Sequence, residues 1–355
     1  MTAADWVLAA IMLGLTAYAV LGGADFGGGV WDLLATGPRR GAQRALIARS
    51  MGPVWEANHV WLVFVVIGLF SGFPRAFGVL SRVLVLPLAL ALLGIVLRGA
   101  AFAYRQYGRP DPSGQAVRGT VVWGRVFAVA STVTPFVLGV AGAAVATGRL
   151  PADGSTGALA PFRSPLALIA GALALATCAF LAAVFLCRDA EVAGAGPALV
   201  ADFRRRALAA ATVAGVLALA ALPVMWADAP TLAGRFGRAL GPAVASVLAG
   251  AVALVLLWHH RFGAARIAAA AAPAGLLWGW GLAQYPWLVV GVADVANSAA
   301  PPATSAAVLI VLTTGMILVT PALVLLLRVV RRAAPTDGSV STPTGSSDVR
   351  STVEA

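Results

Sequence analysis

Long runs of apolar residues, separated by short polar loops, make up most of the chain. A helix needs about 20 apolar residues to cross the hydrocarbon core of a bilayer, and the pattern predicts nine transmembrane helices. The predicted helices are residues 6–34, 52–71, 77–104, 121–147, 165–186, 207–226, 242–258, 264–285 and 304–330. Because few residues separate the seventh from the eighth, fusion of these two would leave eight spans.

The residues after the last apolar run have a different composition. They are rich in Ser, Thr, Gly and Pro, and such a segment cannot bury enough apolar surface to fold. We therefore expect a transmembrane helical domain over residues 1–332 and a disordered cytoplasmic tail over residues 333–355. The predicted fold class is an all-α polytopic membrane protein.

Composition argues against a water-soluble protein. The chain is 60% hydrophobic and only 11% charged, with a mean hydropathy of +0.89, whereas the surface of a soluble protein needs far more charge. All 25 basic residues are Arg, and the formal net charge is +11. Since these residues lie in short loops, they indicate topology in a lipid bilayer and do not indicate nucleic acid as a partner.

The distribution of Arg predicts the orientation, because cytoplasmic loops collect basic residues. Every second loop, together with the segment after the last helix, is rich in Arg. These residues are Arg39, Arg40, Arg44, Arg49, Arg105, Arg109, Arg118, Arg188, Arg204, Arg205, Arg206, Arg261, Arg266, Arg328, Arg331 and Arg332. The alternate loops are poorer in Arg, which predicts an N-terminus outside, a C-terminus inside and an odd number of spans.

One acidic residue lies inside the first predicted span, in the run GGADFGGG at residues 22–29. An ionisable group in hydrocarbon is costly, so Asp25 is a candidate site residue. The five glycines of the run permit another helix to approach the backbone closely. Asp32, seven residues further on, is expected to be a solvated acid at the membrane interface.

A second polar group begins the second span, where residues 51–62 read MGPVWEANHVWL. Glu56 and His59 are three residues apart and share a helix face, and Asn58 lies between them. At 1.5 Å per residue from the inner loop, Asp25 and Glu56 both lie on the order of 10 Å below the cytoplasmic surface. Two carboxyls at matching depth on consecutive helices can form one polar cluster.

Arg98 enters the third span at a similar depth and would balance one carboxylate, since an unpaired buried charge is costly. Asp25 and Glu56 are therefore proton-relay candidates in a path that opens to the cytoplasm. The supporting polar cluster consists of Trp55, Asn58, His59 and Arg98. The same spacing also fits a purely structural polar clasp that holds three helices together.

The histidines bear on haem binding. The chain has three, His59, His259 and His260, whereas two haems held by bis-histidine ligation need a facing pair each. We therefore expect no cofactor on this chain and interpret His59 as a hydrogen-bonded core residue. The sequence shows no Cys and His spacing typical of a metal site, no phosphate-binding loop and no nucleophile triad, so no directly catalytic residue is predicted.

At these motifs the sequence resembles subunit II of the cytochrome bd quinol oxidases. That family reads DGFDxGxG near the end of helix 1, xWDGNxVWL or xWExNxVWL at the start of helix 2, and FRxxxFxYR at the end of helix 3. The matching residues here are Asp25, Gly27, Gly29, Trp55, Glu56, Asn58, Val60, Trp61, Leu62, Arg98, Phe102, Tyr104 and Arg105. The resemblance covers the first third of the chain well and the remainder mainly by span count.

The resemblance implies nine helices arranged as two four-helix bundles plus one peripheral helix. It also implies a heterodimer in the bacterial inner (plasma) membrane, in which subunit I carries haem b, haem d and the quinol site. The complex would oxidise quinol, reduce O2 to water and take protons from the cytoplasm. A small single-helix accessory subunit is a further partner that the resemblance allows.

Two alternatives of other classes remain open. A proton-coupled secondary transporter would also place carboxylates at depth, although related halves with a polar site near the midplane would then be expected. A purely structural membrane subunit would differ only in that Asp25 and Glu56 do not titrate during turnover. The first Asp of the family's DGxD is Gly22 in this chain, so the predicted relay has one carboxyl fewer.

Overall fold

The computed structural model describes residues 2–51, 55–107, 118–151 and 159–333. The described chain is almost entirely α-helical. Its helices are α1 (Ala3–Leu33), α2 (Arg40–Met51), α3 (Trp55–Gly72), α4 (Pro74–Val83), α5 (Val85–Tyr107), α6 (Arg118–Ala146), α7 (Pro165–Val192), α8 (Pro197–Asp228), α9 (Pro230–Ala233), α10 (Phe236–Trp258), α11 (Phe262–Gln284), α12 (Val295–Ser298) and α13 (Pro302–Ala333). An antiparallel hairpin of β1 (Trp287–Val289) and β2 (Ala293–Asp294) lies between α11 and α12.

Among the described residues, seven helices are long and apolar enough to cross a membrane, and they are α1, α5, α6, α7, α8, α10 and α13. An eighth span results if the bent pair of α3 and α4 counts as one. The all-α polytopic fold class is therefore confirmed, while the count of nine and the bundle layout stay predictions. The helices α10 and α11 are separate, so the predicted seventh and eighth helices do not fuse.

The predicted third helix, residues 77–104, is wrong at its start. The chain bends by 120° between Asn58–Gly72 and α4, and the long helix α5 begins only at Val85. Pro74 explains the bend, because proline lacks a backbone N–H and disfavours helical geometry in the residue before it. Phe73 accordingly has φ −136° and fills the bend as a fully buried side chain.

Helix α1 lies at the centre of the described bundle and packs against α3, α6, α7 and α13. Its glycines permit this packing, since a Cβ on Gly27 would overlap the backbone carbonyl of Cys178 in α7. A Cβ on Gly29 would likewise overlap the side chain of Ser131 in α6. The close approach of three helices buries this part of α1, including Asp25.

The outward faces of α8, α10 and α13 carry exposed large apolar side chains, for example Val216, Val247 and Ile310. A surface of this kind in water would promote aggregation. In a bilayer it contacts lipid chains or the apolar surface of another subunit at little cost, which agrees with the membrane fold.

Candidate functional site

Asp25 lies in the interior of the bundle, on α1 facing α3, and is only 6% exposed. Its carboxylate oxygen Oδ2 accepts a hydrogen bond of 2.5 Å from Asn58 Nδ2. The same amide nitrogen lies 3.3 Å from the backbone oxygen of Leu21, to which it also donates. Asn58 therefore joins α3 to α1 and holds the Asp25 carboxylate in one orientation.

Arg98 of α5 is also buried, at 3% exposure. Its Nε donates to Ser131 Oγ over 3.2 Å, and its guanidinium lies over the rings of Phe26 and Phe127 at 5.1 and 5.3 Å from the centroids. Arg98 interacts electrostatically with Asp25, although no ion pair within 4 Å joins these two described side chains. The guanidinium is thus held by one hydroxyl and two aromatic faces.

Three further residues of the predicted cluster are on α3. Trp55 and Glu56 are the first residues of the helix, but their side chains lie outside the described residues. His59 is partly buried, and its ring centroid is 6.4 Å from that of Tyr18 in an edge-to-face arrangement. The structure therefore brings Asp25, Asn58 and His59 to the α1–α3 interface, and the position of the Glu56 carboxyl stays a prediction.

The prediction for Asp32 is wrong, because this residue is buried at 4% exposure instead of being solvated. Helix α2 lies against the end of α1 and covers it. Arg44 of α2 places its Nε 3.9 Å from Asp32 Oδ1 and 3.3 Å from the Asp32 backbone oxygen. The polar loop predicted between the first two spans gave no indication that it would fold into a covering helix.

A network around Asp202, in the first turns of α8, was not predicted. Arg39 donates to both carboxylate oxygens over 2.7 and 2.8 Å, and Arg205 and Gln43 donate further hydrogen bonds. The hydrogen bond to Asp202 raises the pKa of Arg39 above its usual value. In the sequence this Arg-rich region indicates only topology, and the one signal for an ion-pair network is Asp202, two residues before the Arg triplet at residues 204–206.

The residues of this chain do not fit a pair of bis-histidine haems. His59 lies in α3, whereas His259 and His260 follow the last residue of α10, and the full sequence has no further histidine. Within the described ranges, no cluster of three or more His, Cys, Asp or Glu side chains is arranged to bind a metal ion.

A family model and curated relatives agree on one protein family. The family model described as "Cytochrome bd terminal oxidase subunit II" matches residues 3–330. "Cytochrome bd ubiquinol oxidase subunit 2" of Bacillus subtilis (strain 168) is 33% identical over 98 residues, which cover 28% of this chain and 27% of that protein. "Cytochrome bd-I ubiquinol oxidase subunit 2" of Escherichia coli (strain K12) is 26% identical over 136 residues, covering 38% and 33%. The matched part thus spans about a quarter to a third of the length of these relatives.

A solved structure shares the fold over nearly the whole length. The structure entitled "The structure of bd oxidase from Geobacillus thermodenitrificans" aligns with a TM-score of 0.78 and 22% identity, covering 93% of this chain and 98% of that one. At this identity the likeness shows the fold alone.

Proposed function

Since the chain belongs to the cytochrome bd terminal oxidase subunit II family, we propose that it pairs with a haem-bearing subunit I in the bacterial cell membrane. The complex oxidises quinol and reduces O2 to water. The haem b and haem d of subunit I supply the electron transfer and the oxygen chemistry, and the present chain carries no haem. The observation that carries the proposal is the family match over residues 3–330.

The second part of the proposal is proton delivery from the cytoplasm through this chain. Asp25 is an ionisable group inside the bundle, and groups of this kind in spans are typical of proton paths. Asn58 donates to its carboxylate, and because an amide does not titrate in the physiological range, it orients the carboxylate without competing for the proton. Arg98 interacts electrostatically with the Asp25 carboxyl without an ion pair within 4 Å between these two described side chains, so the carboxyl is not locked against proton exchange.

Glu56 is the second carboxyl of the proposed path. It precedes Asn58 by two residues at the start of α3, so protons from the cytoplasmic end would reach Glu56 and Asp25 at similar depth. Gly22 supplies no carboxyl where the related family motif has its first Asp. Water or another group must therefore continue the path beyond Asp25.

The test is to purify the tagged chain from its native host and record its visible spectrum. We expect haem d absorbance, a larger haem-bearing partner and quinol-dependent O2 consumption. The chain expressed without that partner should bind no stoichiometric haem, because it lacks paired histidine ligands.

The opposite results are equally clear. A colourless protein that purifies alone from native membranes would contradict the oxidase and favour a transporter. Stoichiometric haem on the separately expressed chain would contradict the division of cofactors between the two subunits.

A further inference from the structure

Three buried polar atoms on α1 and α3, on residues within seven positions of Asp25 or Asn58, have no assigned role. Among the described residues, the Tyr18 hydroxyl, the Asn58 amide oxygen and the Trp61 indole nitrogen have no hydrogen-bond partner. The three residues are 6%, 1% and 6% exposed, in that order, so bulk solvent does not reach them. Native proteins satisfy such groups with ordered water where polar atoms converge.

These atoms belong to one region of the α1–α3 interface. Tyr18 and Trp61 are members of the same packed cluster. The Tyr18 ring also lies edge-to-face against His59, the residue next to Asn58, at 6.4 Å between centroids. The unsatisfied Tyr18 hydroxyl and Trp61 indole nitrogen therefore lie in one otherwise apolar cluster. Ordered water is the usual partner of such buried polar atoms.

The Tyr18 ring lies along α1 in the direction of Asp25. A Cβ on Gly22 would be 3.2 Å from Tyr18 Cε2 and 3.3 Å from Cδ2, so the ring covers the bare backbone of Gly22. Gly22 and Asp25 are three residues apart, about 4.5 Å along the helix axis. The Tyr18 hydroxyl interacts electrostatically with the Asp25 carboxyl, and a water that hydrogen-bonds to both groups would join them.

We propose that Tyr18 binds a buried water at the α1–α3 interface and passes protons between Asp25 and the interior of the bundle. In each transfer, protonated Asp25 gives its proton to the bridging water, and that water gives a proton to the Tyr18 oxygen as the Tyr18 O–H bond breaks. The proton released by Tyr18 moves to a second water on the inner side, which passes a proton on towards the O2 reduction that consumes it, and Asp25 takes up a new proton from the cytoplasmic side. The hydroxyl ends each transfer neutral, and no group is oxidised or reduced.

This inference rests on the proposed oxidase function. Tyr18 carries protons onward from Asp25, a task for which Gly22 supplies no carboxyl. It also explains why a phenol, and not a phenyl ring, is placed in this apolar cluster. The unsatisfied indole nitrogen of Trp61, in the same packed cluster as Tyr18, and the unsatisfied amide oxygen of Asn58, on the residue that binds Asp25, are the candidates for the further hydrogen bonds that a buried water needs.

The kinetic test is Tyr18→Phe in the assembled complex, since this change removes only the hydroxyl and keeps the ring over Gly22. We expect unchanged haem content and a turnover per haem d that is lower by roughly tenfold. This loss is smaller than the roughly 10²-fold effect at the low end for a positioned proton-transfer group, because water partly replaces the hydroxyl. The H2O-to-D2O rate ratio should rise at the same time, since proton delivery becomes more rate-limiting. Unchanged turnover per haem d, or a loss that only follows haem content, would overturn the proposal.

Tyr285→Phe is the matched control. Its hydroxyl donates to Asp5 Oδ1 over 3.0 Å, at the opposite end of α1 from the relay. This variant also loses one phenolic hydrogen bond, and it should keep wild-type turnover per haem d and the wild-type isotope ratio. An equal loss in both tyrosine variants would mean that Tyr18 acts only through stability, which contradicts the proposal.

A structural readout separates this proposal from the proposed function. A cryo-EM map of the wild-type complex should show a water within hydrogen-bond distance of Tyr18 Oη, and the Tyr18→Phe map should lack it. A map that resolves other buried waters but none at this hydroxyl would refute the role of Tyr18, whether or not the complex oxidises quinol. A wild-type complex that resolves this water but lacks haem d and quinol oxidation would instead refute the proposed function.

Discussion

At the scale of single residues, a carboxylate, an amide and a guanidinium lie inside an apolar bundle. Burial of such groups is costly unless each finds partners. Asn58 partners Asp25, while Ser131 and two aromatic rings partner Arg98. The described Asp25 and Arg98 side chains thus interact electrostatically without an ion pair within 4 Å, and this arrangement suits a carboxyl that must gain and lose a proton.

Glu56 is the residue whose replacement best separates a relay from a scaffold. Glu56→Gln keeps the shape and the hydrogen bonding but cannot titrate, so turnover per haem d should fall by roughly 10²-fold or more while haem content is unchanged. Glu56→Asp, the matched control, should keep part of the activity because a shorter acid still exchanges protons through water. If Glu56→Gln lowers assembly and haem content together at unchanged turnover per haem d, Glu56 is a structural clasp and the relay is refuted.

The charged site residues could be identified from sequence because any charge within an apolar span is conspicuous. Tyr18 and Ser131 could not, since hydroxyl groups are ordinary in transmembrane helices and their role depends on which neighbour they meet. The burial of Asp32 under α2 was missed for the same reason. Contacts between segments distant in sequence decide whether a polar residue is solvated.

At the scale of elements, hydropathy located the long helices, because the length of a span is set by the thickness of the bilayer. It did not find the bend between α3 and α4, the covering helix α2 or the hairpin of β1 and β2. These elements lie at the ends of the spans, where proline geometry and tertiary packing determine the structure and apolar length carries no information.

The glycine run in α1 gives a prediction about helix packing. In Gly27→Ala the new Cβ would overlap the backbone of Cys178, and a backbone cannot move aside as a flexible side chain can. We expect a loss of stability on the order of 1–3 kcal/mol, measured as a lower melting temperature of the tagged protein in fluorescence-detected size-exclusion chromatography.

Gly142→Ala in α6 is the control for this change, because a Cβ there meets nothing within 4 Å. That variant should have the wild-type melting temperature or a slightly higher one, since Ala favours helix over Gly. Equal behaviour of the two variants would show that α1 and α7 do not pack as described.

At the scale of the whole molecule, the alternation of Arg between loops predicts the orientation in the membrane. A reporter fused after Arg332 should be active only in the cytoplasm. A reporter inserted at Gly291, in the exposed turn between β1 and β2, should be active only outside. A reversed result at either position would overturn the span count or the orientation.

The most direct test of proton delivery through this chain uses inverted membrane vesicles, whose cytoplasmic face is turned to the medium. When quinol and an O2 pulse are supplied, the medium should become alkaline at a rate proportional to haem d, because the complex takes protons from that face. In the double variant Asp25→Asn with Glu56→Gln, the rate of alkalinisation per haem d should fall by roughly 10²-fold or more, while haem content is retained. A wild-type rate per haem d in the double variant, or acidification of the medium by the wild type, would contradict the account.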